Sequence, residues 1–80
     1  MDTKKRLQVI EDEITRLTLK RKDLFNEWAY IVKKNERIFD LDGTYNNGLS
    51  QRADELLKEQ KAIGRKVMRL LEKADNLILD

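Results

Sequence analysis

Residues 7–38 read LQVIEDEITRLTLKRKDLFNEWAYIVKKNERI, and the spacing within them decides the fold. Steps of three and four select Leu7, Ile10, Ile14, Leu17, Arg21, Leu24, Trp28, Ile31, Asn35 and Ile38. Only Arg21 and Asn35 interrupt the apolar series. Such steps return to one side of an α-helix, so these side chains form a single stripe. With Leu7 at heptad position a, the e positions pass from Glu11 and Thr18 to Phe25, Val32 and Phe39. The apolar face widens along the helix, which suits a helix with more than one neighbour.

Upstream, Asp2 and Thr3 each offer a side-chain oxygen to cap the helix start. Downstream, no Gly or Pro intervenes before Gly43. The spacing predicts a helix over residues 3–40, about 57 Å long at 1.5 Å per residue. Residues 42–50, DGTYNNGLS, carry the turn chemistry. Gly43 suits a left-handed cap, and Asn46, Asn47 and Gly48 complete a loop over 41–49. Ser50 then offers an N-cap for a second helix over 50–79.

That helix has its own stripe: Leu49, Ala53, Leu56, Gln60, Ile63, Val67, Leu70, Ala74 and Leu77. Leu57, Leu71 and Ile78 thicken the adjacent row, which Gly64 shares. The expected fold is all-α: a single domain, 1–80, forming an antiparallel two-helix hairpin. Folding at about Tyr45 sets Gly64 opposite Asn26 and near Phe25 and Trp28. A helix-interior Gly costs roughly 1 kcal/mol against Ala, so Gly64 is expected to make room for one of those rings. In the same register Arg21 falls near Arg69, with Glu72 a turn away as an ion-pair partner.

Two readings fit the polar interruptions. Arg21 and Asn35 could fix register and partner number at some cost in stability. The simpler expectation is that both sit near an edge, Arg21 stretching its head to solvent.

The totals agree with this shape. Charged and hydrophobic residues each make up 40% of a chain without Pro, a balance typical of long helices rather than sheets. The net charge of +2 arises from many charges of both signs and describes a mixed surface, not a polycationic tail. Cys and His are absent, which removes disulfides, thiolate zinc sites and the usual general base. No apolar run reaches the roughly 20 residues that cross a bilayer, and no apolar segment follows the basic N-terminus. The default expectation is a cytoplasmic protein.

Catalytic chemistry finds no foothold. Glu11, Asp12 and Glu13 read as a solvated helix flank. Asp40, Asp42 and Asn46 fail the calcium-loop pattern, because Tyr45 and Gln51 stand where Gly and Glu are needed. Neither Gly43 nor Gly48 opens a phosphate-binding loop. No catalytic residue, metal site, cofactor or small-molecule substrate is expected. Ile10, Ile14, Leu17 and Arg21 give the first helix a resemblance to the all-helical chorismate mutases, whose long helix carries an inward arginine. Lys4 and Lys33 fall near where further basic residues would be expected. The resemblance implies a dimeric core with a basic site, but the family's later Arg and Glu and its third helix have no counterpart in these 80 residues.

Two hairpin faces this wide shield each other only in part, so a further pair of helices is expected. A symmetric four-helix bundle of two copies, or helices of a larger protein, would supply it. The leading expectation is a non-enzymatic regulator, adaptor or inhibitor. It would bury Leu24, Phe25, Trp28, Ile31, Val32 and Phe39 against Leu56, Leu57, Ile63, Gly64, Val67, Leu70 and Leu71. The alternative is a nucleic-acid-binding hairpin dimer that uses a mid-hairpin basic zone of Lys20, Lys22, Lys61, Arg65, Lys66, Arg69 and Lys73. Its architecture would be similar to that of the plasmid RNA-regulating hairpin dimers, in shape alone.

Overall fold

A computed structural model describes residues 2–79 as two α-helices, α1 (Thr3–Asp42) and α2 (Asn47–Leu79). They fold back on each other into a rod of 60 × 15 × 14 Å. The fold is an all-α antiparallel hairpin, as the two apolar stripes require. No helix among the described residues is long and apolar enough to cross a membrane.

Each helix end has a local cause. Asp2 caps α1, its carboxylate accepting from the Lys4 backbone N–H at 3.1 Å. Gly43 stops it with φ +77°, a left-handed conformation that a Cβ would strain, and its N–H donates to the Phe39 carbonyl at 2.7 Å.

The connection is tighter than expected. It spans 43–46 rather than 41–49, because Asn46, not Ser50, caps α2. The Asn46 side-chain oxygen accepts from Leu49 N–H at 3.0 Å, and its carbonyl accepts from Ser50 N–H at 3.0 Å. Ser50 therefore lies inside the first turn.

What selects Asn46 comes from the other helix. The Asn35 carboxamide oxygen accepts from Asn46 N–H at 2.7 Å, and its NH2 donates to Ser50 Oγ at 2.9 Å. Asn35 is buried. The expectation of an edge position fails for it, since its polar atoms are satisfied by the loop they organise.

The register also differs from a fold at Tyr45. Gly64 meets Arg21, not Asn26, a slip of more than one helical turn. The atoms nearest to a Cβ placed on Gly64 belong to the Arg21 guanidinium, the closest at 3.4 Å. The glycine accommodates that head group rather than an aromatic ring. Phe25 instead packs on Trp28 within α1, ring centroids 5.7 Å apart, and Phe39 stacks on Tyr45 at 4.5 Å.

The shared core is thin. Leu17, Ile31, Ala53, Leu56 and Ile63 are the buried apolar residues among those described, and only Leu56 is wholly enclosed. Leu24, Trp28, Val32 and Leu49 pack against Ile31, Ala53 and Leu56 but stay partly open. Two helices meet along one line, so each can bury little beyond the residues on that line.

Candidate interaction surface

Steps of seven from Leu57 reach Gly64, Leu71 and Ile78, one row along α2. On α1 the neighbouring row holds Phe25 and Val32 beside Trp28. The structure brings the two rows to one side of the hairpin. Trp28, Ile31, Val32, Ala53 and Leu57 line a shallow groove together, edged by Glu36 and Asp54 and closed at the loop by Asn35, Tyr45 and Ser50. Along this side the large side chains remain open: Phe25 is 51% exposed, Leu57 36%, Leu71 44% and Ile78 66%.

Met68 joins them at 59% exposure. It lies outside both stripes, and its only sequence signal was its position four residues after Gly64.

The expected interface residues divide accordingly. Ile31, Leu56 and Ile63 are consumed by the hairpin's own seam, and Leu24, Val67 and Leu70 are half-buried along it. Phe25, Leu57 and Leu71 are exposed, while Trp28 and Val32 are half-buried against the same core as Leu24. Phe39 is spent in part on Tyr45.

The expected basic zone divides too. Lys61, Arg65 and Arg69 line a groove with Arg21 and Met68, around Gly64 and Val67, and no carboxylate lines it. Lys66 and Lys73 lie instead in a separate groove with Leu17, Leu70, Arg69 and Glu13. Lys20 and Lys22 are two residues apart, a spacing that points side chains to nearly opposite sides of a helix. They line neither groove. Arg21 stays exposed, as an edge position requires, but it reaches Gly64 rather than an ion pair with Glu72.

On the other side of the seam the charges pair. Arg52 reaches across to Glu27 at 3.1 Å and back to Glu55 at 3.4 Å. Arg16 binds Glu13 within α1, its Nε donating at 3.1 Å. The hydrogen bond from Arg16 holds the Glu13 carboxyl below the usual carboxylate range, and the bond to Glu27 raises Arg52 above the usual guanidinium range. These groups are exposed, and such pairs contribute little to stability. They place the ion pairs of the described residues on one side of the hairpin. Among the described residues no ion pair is formed by the groups that line the two grooves around Trp28 and Gly64, and no group of three or more Asp or Glu is placed to hold a metal ion.

Fold and surface together define an all-α helical hairpin with ion pairs on one side and, on the other, exposed apolar side chains beside a basic groove. Compared with known protein families, curated proteins and solved structures, the chain shows no significant match to any.

Proposed function

We propose that this hairpin is a non-enzymatic protein–protein interaction module, a small regulator, adaptor or inhibitor that works in the cytoplasm by completing a helical bundle. The observation that carries the reading is the asymmetry between its sides. Exposed Phe25, Leu57, Met68 and Leu71, with half-buried Trp28 and Val32, fall on one side and are interrupted only by the basic groove around Gly64, while the opposite side carries the ion pairs. Further helices laid along the ridge would remove that apolar area from water at about 25 cal/mol per Å2.

The test combines sedimentation equilibrium of the full chain with collisional quenching of Trp28, the only tryptophan. The expected result is either self-assembly that shields the indole or a single copy whose indole is open to the quencher. A stable, folded single copy with a shielded indole at high concentration would overturn the reading.

A second reading rests on the groove of Arg21, Lys61, Arg65 and Arg69, which no carboxylate lines. Phosphate contacts there would bind nucleic acid with little sequence preference and steep salt dependence. Titration of duplex and single-stranded probes across salt separates the two. No binding, or binding indifferent to salt, excludes the second.

A further inference from the structure

We infer that the occupant of the open side is a second copy of this chain, laid antiparallel and offset so that the two-fold axis passes at Trp28 and Leu57. This rests on the interaction reading above and specifies its partner and register.

The register within the hairpin supplies the frame. Arg21 lies against Gly64, and Asn35 bonds Ser50. Trp28 and Leu57, which share the loop-side groove, lie seven residues from each level along their own helices. Charge is segregated about that midpoint. Toward the loop the groove is edged by Glu36 and Asp54 and lined by no cation. Toward the open end a second groove is lined by Arg21, Lys61, Arg65 and Arg69 and by no anion, Arg21 and Lys61 lying nearest the midpoint. All six groups are exposed, and none makes a side-chain hydrogen bond or ion pair with another described residue.

Like charges facing each other across an interface are costly, and opposite charges fix register. A parallel pair of hairpins would set Arg21 and Lys61 of both copies together, and likewise Glu36 and Asp54. A fully overlapped antiparallel pair fares no better, because the middle of α1 falls beside Arg21 and the cations would again meet their own copies.

Sliding the copies toward their loops removes both conflicts. With the axis at Trp28 and Leu57, Arg21 of one copy comes level with Asn35 of the other, one residue from Glu36. On α2, Lys61 comes level with Ala53, one residue from Asp54. Two charge pairs on two different helices thus point to the same axis. Phe25 then falls beside Val32 of the second copy, and the two Leu57 side chains meet. Each pairing occurs twice under two-fold symmetry.

The chain contains no Cys, so engineered thiols report on one pairing only. Full-length Arg21→Cys and Glu36→Cys variants, mixed under mild oxidation, should yield mainly the mixed disulfide. Sedimentation should show the Arg21→Glu dimer weakened about tenfold or more, with Glu36→Arg in the same chain restoring it. Both side chains are exposed and unbonded, and far-UV circular dichroism would confirm that the variants fold. A dimer in which the Arg21→Cys variant crosslinks mainly to its own copies, or one that ignores both charge reversals, overturns the offset while leaving the interaction reading intact. A single copy with an accessible indole overturns the second copy as partner and leaves only the wider reading. A single copy with a shielded indole overturns both.

Discussion

The carboxamide of Asn35 holds Ser50 Oγ at 2.9 Å and also takes the backbone N–H of Asn46 at 2.7 Å, joining the last turns of α1 to the cap of α2. One buried amide therefore fixes where the chain turns and how the two stripes align. Asn35→Ala deletes both bonds and leaves the loop N–H and the serine hydroxyl to find other partners. The expected loss is about 1–3 kcal/mol, read from urea denaturation. Asn35→Leu should do no better, although it would complete the apolar series of the seam.

Gly64 makes a prediction of opposite sign. A methyl group there would meet only the flexible end of Arg21, at ordinary contact distance. Gly64→Ala should therefore stabilise α2 by about 0.5–1 kcal/mol, the usual difference between these residues in a helix. Thermal unfolding measures it. A loss of stability would mean that the guanidinium cannot move aside.

Much of the hairpin was legible because period and spacing are direct consequences of helix geometry. Gly43 was legible for a related reason, since a positive φ after a long helix all but requires glycine. The start of α2 was not. Asn46 and Ser50 are both good caps by their own chemistry, and the choice between them is made by Asn35, eleven positions upstream of Asn46. The same contact sets the register, so assuming a fold at Tyr45 displaced Gly64 from its true neighbour.

The open side was legible only in part. Phe25, Leu57 and Leu71 are as apolar as Ile31, Leu56 and Ile63, and composition does not say which set the hairpin uses up. The line along which the two helices touch decides that. Met68 was missed because it belongs to neither stripe. The basic zone came apart because sequence proximity on a helix is not shared direction.

Gly43 should be intolerant of substitution despite open space around it. Nothing lies within 4 Å of a Cβ placed there, so crowding plays no part. The cost comes from the backbone alone, since an L-residue in the left-handed region loses about 1–2 kcal/mol. Gly43→Ala should lower stability by about that amount in equilibrium unfolding, and Gly43→Asn by less, because asparagine tolerates this conformation better. Equal effects from both would point away from backbone strain.

Gln60 is buried in the seam beside Leu56 and Ile63, and its amide nitrogen makes no hydrogen bond among the described residues. A buried donor without a partner costs about 1–3 kcal/mol, whereas an apolar side chain of similar length removes the need for one. Gln60→Met keeps the reach and the flexibility of the side chain while deleting the polar atoms. The expected outcome is a hairpin more stable by about 1 kcal/mol in chemical denaturation, with unchanged helicity. The same variant probes assembly. Because Gln60 serves the seam, the self-association proposed above, measured by sedimentation, should change no more than the stability of the hairpin explains.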